Sequence, residues 1–169
     1  MQTNLTIPNA LFTIIIPIIE RDFLLRRSID YYKNFDCNIL IADSSAKKIN
    51  YVFPDNVMYR HLPGISFAKK ILLVAETITT PYVCISPDDD YLLESSVRAG
   101  AHFLNNNLDF VSVQGKYLKF ELIDSQIVFS PKYSAAASNY LVTNEDICSR
   151  VIRASNSKMH QILSLHRKD

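Results

Sequence analysis

Three groups of residues carry the side chains that could do chemistry. Asp88-Asp89-Asp90 follow the run Tyr82 to Ser86 (YVCIS) and Pro87. Three adjacent carboxylates repel one another in a dry pocket, and partial burial is tolerable where a hard divalent cation shares their oxygens. Mg²⁺ or Mn²⁺ held there would grip a substrate diphosphate, neutralise it and stabilise it as a leaving group. The same tripeptide also reads as a solvated acidic turn capping a helix that starts near Leu92. Spacing alone leaves both readings open. Asp43-Ser44-Ser45 closes a second apolar run, NILIA. Asp43 reads either as an acceptor for a base or ribose or as a turn former. The third group is Pro17 to Arg21, at the end of the run FTIII.

These groups share a position. Phe12 to Ile16, Asn38 to Ala42, Val57 to Leu62 and Tyr82 to Ser86 read as strands, the first two apolar without alternation and so buried on both faces. Asp22 to Phe35 predicts a helix with Leu25, Ile29 and Tyr32 on one side. A second helix starts after Ser66 as N-cap, with Phe67, Ile71, Val74, Ala75 and Ile78 at helical spacing, and a third carries Leu93, Val97, Ala101 and Leu104. The alternation predicts an α/β fold with a mainly parallel sheet flanked by helices. In such sheets ligands bind beyond the carboxyl ends of the strands, where all three groups fall.

From Leu108 the texture changes. Asp109 to Val113, Lys116 to Leu122 and Gln126 to Ser130 read as strands, the last two as a hairpin turned by Ile123-Asp124-Ser125. Ser134 to Asn139 reads as a loop, and Asn144 as the cap of a helix through Ile147, Val151 and Ile152. Met159 to Leu165 stays open between strand and helix. No repeat and no linker divides the chain, so residues 1–169 read as one domain.

Composition narrows the function classes. Apolar residues make up 48% and charged residues 21%, the balance of a globular protein, and the formal charge of +1 offers no basic stripe for nucleic acid. Cys37, Cys84 and Cys148 form no CxxC pair, which argues against a disulfide scaffold or a zinc site and fits a reducing cytosol. The longest apolar run, Leu11 to Ile19, is too short for a membrane span and lacks the flanks of a signal peptide. The expectation is a cytoplasmic protein with no transmembrane segment.

The order FTIIIPIIER, ILIADSS, helix, YVCISPDDD resembles the nucleotide-sugar-binding half of the GT-A glycosyltransferases, in particular the family 2-like enzymes. The resemblance covers about residues 10 to 105, with residues 106–169 as the start of an acceptor half. It implies a Rossmann-like GT-A nucleotide-diphospho-sugar transferase fold. It places Pro17, Glu20, Arg21, Asp43, Ser44 and Asp88 at the nucleotide, with Asp43 contacting the base. It assigns Asp88, Asp89 and Asp90 to the metal, Mn²⁺ or Mg²⁺. Two departures stand out: Ile18-Ile19-Glu20-Arg21 replaces the usual Thr-Tyr-Asn-Arg, and Ser44-Ser45 replaces a second Asp and a Gly. The register of the DXD motif has two solutions. Asp88 and Asp90 satisfy its spacing literally, whereas aligning Tyr91-Leu92-Leu93 makes Asp89 the metal ligand and puts Pro87 at the first Asp.

The implied activity is metal-dependent, inverting transfer of a sugar from a nucleotide-diphosphate sugar to an acceptor hydroxyl. The acceptor, whether saccharide, lipid-linked or protein, is not specified. Complete GT-A domains are longer and carry their catalytic base in the acceptor half, so the chain reads as cut short at Asp169. Glu145 and Asp146 are the late acidic pair and the candidates for that base, with helix capping as their other reading. The alternative function is a non-catalytic nucleotide-sugar-binding module. A receiver or haloacid-dehalogenase-like phosphotransfer domain needs an Asp directly after the first strand, where this chain has Pro17-Ile18-Ile19. Lys69 and Lys70 could reach phosphate, and Arg60 or His61 could line the donor pocket, although surface roles suit all four. His160 and His166 are too isolated for a metal site, and Cys84 reads as a small core residue.

Overall fold

The structure is a computed structural model and describes residues 10–115, 119–130, 142, 143, 145, 146, 148–150 and 164–167. It divides into two compact units, Met1–Gln114 with Ile162–Asp169, and Gly115–Gln161.

The first unit is built on strands β1 (Phe12–Ile18), β2 (Asn38–Asp43), β3 (Val57–His61) and β4 (Tyr82–Ile85), with helices α1 (Asp22–Tyr32), α2 (Phe67–Ala75) and α3 (Glu94–Asn106). Two further strands, β5 (Ser112–Gln114) and β8 (Ser164–Arg167), complete a sheet of order β3-β2-β1-β4-β8-β5. The first four are parallel, and β8 runs antiparallel to both β4 and β5. This four-stranded parallel sheet with flanking helices is consistent with a Rossmann-like arrangement.

The uninterrupted Ile and Leu runs of β1 and β2 dictate burial from both sides. On one face Ile14, Ile16, Ile39 and Ile41 pack with Leu25, Ile29 and Tyr32 of α1 and Val97, Ala101 and Leu104 of α3. On the other, Ile15, Leu40 and Ala42 pack with Val74 of α2 and with Ile78. Each buried Ile, Leu or Val among them contributes roughly 1.5–3 kcal/mol of apolar transfer. Cys84 lies in this core, as its place in YVCIS predicts.

Strand β1 runs two residues beyond its expected end, through Pro17 to Ile18. Ile15 C=O accepts from Ser86 N–H on the β4 side at 2.9 Å, and the β4 ladder stops at the Ile15–Ile85 pair. Pro17, two residues on, faces that same vacated side, so its missing N–H costs no ladder bond. Helix α1 ends at Tyr32 rather than Phe35, and the polar turn residues Asn34 and Asp36 follow it. Ser66 holds the N-cap position of α2, with extended backbone but no capping hydrogen bond from its side chain. Strand β5 starts at Ser112, not Asp109, because Phe110 N–H is tied back to Asn107 C=O at 3.1 Å.

In the second unit, β6 (Lys119–Ile123) and β7 (Gln126–Ser130) form the expected hairpin. Its loop is two residues, not three. Ile123 pairs with Gln126, while Asp124 and Ser125 both take positive φ, 49° and 63°, as a tight hairpin turn requires. The loop expected at Ser134 to Asn139, the cap at Asn144 and residues 159–163 lie outside the described residues. The open segment ending at Leu165 contributes β8 through residues 164–167.

Candidate functional site

Parallel register lines up the strand ends. Ile18 pairs with Asp43, and Asp43 with His61, so three adjacent strands finish side by side. The residue after β4, Ser86, leads into Pro87 and the acidic loop. The crest of the sheet therefore gathers all three sequence groups.

The acidic loop is fastened from below by α1. Ser28 Oγ donates to Asp88 C=O at 2.7 Å, Tyr31 Oη to Leu92 C=O at 3.0 Å, and Leu92 N–H donates to Tyr32 Oη at 2.9 Å. Tyr32 Oη also shares a hydrogen bond with Ser86 Oγ at 3.0 Å. Burial pushes the Tyr32 phenol up to about 12. Ser28 and Tyr32 lie on the apolar stripe of α1, which explains why they reach the loop and not solvent.

Within that loop the three aspartates differ. Asp88 is 3% exposed, while Asp89 and Asp90 lie at the surface. Arg21, in the N-cap position of α1, spans two of them: one nitrogen stands 3.0 Å from Asp88 Oδ1 and another donates to Asp89 Oδ2 at 2.9 Å. Asp88 Oδ2 is buried without a hydrogen-bond partner. Burial holds the Asp88 carboxyl above its ordinary range, against the opposing pull of Arg21.

Asp43 is fully buried. Its Oδ1 accepts from Ser45 N–H at 2.8 Å, and its Oδ2 accepts from the Tyr59 hydroxyl. Tyr59 in turn takes Ile49 N–H at 3.1 Å and stacks on Phe53 at 4.9 Å. Both Asp43 oxygens are thus engaged within the chain, and Asp43 exposes no surface to a base or ribose in this structure. Burial, foremost, and the Asp43 bond push the Tyr59 phenol up to about 12.

Lys70 is the residue that sequence reasoning placed wrongly. A surface role was expected, yet the side chain is 3% exposed. From the first turns of α2 it runs inward, and its Nζ donates to Ile18 C=O at 2.8 Å and to Ser44 Oγ at 3.0 Å. Burial lowers its pKa, against the attraction of Asp43 and Asp88. The signal was faint: Lys70 lies four residues before Val74, on the same face. Tyr59 was missed as well, although Val57, Tyr59 and His61 alternate on one side of β3.

Glu20 bridges the ends of β1 and β2. Its φ of 53° is left-handed, at a cost of about 1 kcal/mol. That conformation is held because its N–H donates to Ser45 Oγ and its carboxylate accepts from Ala46 N–H, both at 2.7 Å. His61 Nε2 lies 2.9 Å from Ser45 C=O, tying β3 to the same turn. Pro17 is half-buried beside this turn.

Asp146, in the second unit, acts as a cap. Its Oδ1 accepts from Ser149 N–H at 2.7 Å at the start of the helical residues 148–150, and that bond lowers its pKa. Glu145 gives its backbone carbonyl to Arg150 at 2.9 Å.

Among the described residues no three His, Cys, Asp or Glu side chains are gathered as a metal-binding group. Two carboxylates suffice for Mg²⁺, which commonly takes one or two from protein and the rest from water and substrate phosphates. The partnerless buried Asp88 Oδ2, beside exposed Asp89, suits that donor set. No helix among the described residues is long and apolar enough to cross a membrane. No protein-family model matches the chain, and no curated protein matches it.

Proposed function

We propose that the crest of the sheet is a donor site for a nucleotide-diphosphate sugar, serving metal-dependent glycosyl transfer of the GT-A, family 2-like kind. The observation that carries the reading is Asp88: a carboxylate buried at a parallel strand end, fastened by α1 through its backbone, yet left with one oxygen unpartnered. An orphaned buried acceptor costs about 1–3 kcal/mol. Asp22, paired with Arg26 on α1, also leaves one oxygen buried and unpartnered, but among the described residues Asp88 alone does so as a nearly fully buried residue at a strand end. An oxygen kept free suits an exogenous cation.

In this reading Asp88 and Asp89 hold Mn²⁺ or Mg²⁺, with Asp90 beside them. A cation held by these carboxylates would supply charge neutralisation for a departing diphosphate. Arg21 offers its fork to phosphate, while Asp43, Ser44, Glu20 and Pro17 shape the side where the nucleoside lies. Lys70 keeps the β1 and β2 ends fixed and supplies positive charge beneath them.

The second reading, donor binding without transfer, draws on Asp146. General-base catalysis needs a carboxylate within reach of the acceptor hydroxyl, and Asp146 is engaged as a helix cap. With Glu145 as the remaining candidate of the pair, at most slow hydrolysis of the sugar nucleotide to water is expected of this chain.

The test is calorimetric titration of UDP, GDP and CDP with and without Mn²⁺. Binding of one of them that requires the metal supports the donor site. Binding of none overturns it.

A further inference from the structure

We propose that Arg21 is a resident placeholder in the cation position, and that it moves from carboxylates to phosphate when the site is filled. This rests on the donor-site reading and adds to it an order of events and a role for one side chain. Three observations carry it. First, the guanidinium spans two different carboxylates, Asp88 at 3.0 Å and Asp89 at 2.9 Å, and so occupies the space a shared cation would take. Second, the span is incomplete, because Asp88 Oδ2 stays buried and unpartnered with Arg21 in place. Third, Arg21 is free to leave: its side chain is 43% exposed, and its backbone is secured independently by Leu24 and Leu25 N–H on its carbonyl.

Charge explains why a placeholder is needed. Asp88 is desolvated and lies beside Asp89, so emptying the position would leave two carboxylates facing each other in a half-dry setting. Arg21 removes that repulsion in the ligand-free protein. When a divalent cation is available, Arg21 yields both carboxylates and its fork, still anchored at the start of α1, turns to the incoming diphosphate. Guanidinium suits both partners, since carboxylate and phosphate each accept it in bidentate fashion. Lys70 cannot make this exchange, because it is buried and bonded to Ile18 C=O and Ser44 Oγ.

The consequence is opposite effects of one substitution on two ligands. Arg21→Gln should bind Mn²⁺ more tightly than the parent in the absence of nucleotide, by roughly tenfold, the affinity equivalent of losing two partly exposed competing ion pairs. With Mn²⁺ saturating, the same variant should bind the nucleoside diphosphate more weakly. Free Mn²⁺ is read by its paramagnetic resonance signal, and the nucleotide by calorimetry. In parallel, the Nε–H resonance of Arg21 in the unaltered protein should shift on addition of Mg²⁺ alone, which keeps the test sound if the variant folds poorly. Unchanged or weaker Mn²⁺ binding by Arg21→Gln, or an Arg21 resonance indifferent to Mg²⁺, overturns the placeholder and leaves the donor site standing. A parent protein that binds neither Mn²⁺ nor any nucleotide removes both.

Discussion

Replacing Lys70 with Met tests whether the crest depends on a buried ammonium. Met keeps most of the stem volume in α2 but removes both hydrogen bonds, to Ile18 C=O and Ser44 Oγ. Ile18 C=O is not orphaned, since Ser44 N–H still donates to it at 3.0 Å. Asp43 and Asp88, both buried, also lose a nearby positive charge, but burial outweighs their attraction in the lowered Lys70 pKa, so relief of lysine desolvation offsets that loss. The two charge-assisted hydrogen bonds then set the net loss, about 1–3 kcal/mol. Urea unfolding followed by circular dichroism reads it directly, with the slope checked for constancy. The pH dependence supplies an independent sign. A lysine whose pKa is lowered in the fold binds fewer protons there than when unfolded. Parent stability therefore gains from this group as pH rises through the lowered pKa towards the ordinary 10.5. The gap between parent and Lys70→Met should widen over that interval. A variant as stable as the parent, or a gap that narrows with pH, would refute the reasoning.

Tyr59→Phe should cost about 1–3 kcal/mol, because Asp43 Oδ2 loses its donor and Ile49 N–H its acceptor; unfolding within a few tenths of the parent would mean that solvent replaces the hydroxyl. Asp88→Asn should gain on the parent as pH rises from 3.8 upward. An acid whose pKa is raised keeps its proton in the fold where the unfolded chain has lost it, so the parent loses this contribution across the interval up to the folded pKa. Urea midpoints at several acidic pH values read the trend, and a parent that gains on the variant would contradict it. The same Asp88→Asn protein should lose metal-dependent nucleotide binding in calorimetry.

The parallel sheet was legible because β1 and β2 are so apolar that no half-exposed strand could accommodate them. Helix faces followed from Leu25, Ile29, Val97 and Leu104 at helical spacing. What escaped was set by tertiary contact and not by pattern. Lys70 looks like any lysine near a helix start, and only the proximity of the β1 and β2 ends makes its burial worthwhile. The pairing of Arg21 with Asp88 and Asp89 spans more than sixty positions of sequence, which no local rule connects. Tyr32 was read correctly as a core residue, but its hydroxyl serves the acidic loop. The hairpin turn was misjudged by one residue because Ile123 is as compatible with a turn edge as with a strand end, and the pairing with Gln126 decides it.

Lys70 and Arg21 serve the crest in different ways, and the difference is compatible with the proposed site. Lys70 lies under the strand ends, hydrogen-bonded to a carbonyl and a hydroxyl, where moving would strand a buried charge. Arg21 stands at the rim, half exposed, with its fork on one buried and one exposed carboxylate. A half-exposed pair adds at most about 1 kcal/mol to stability, so little is lost when Arg21 changes partners. Fixing one charge while leaving the other movable suits a surface that must stay folded when empty and change partners when filled. The loop that carries Asp88 is clasped by Ser28, Tyr31 and Tyr32, so the proposed exchange at its face would involve the Arg21 side chain and not the backbone beneath it.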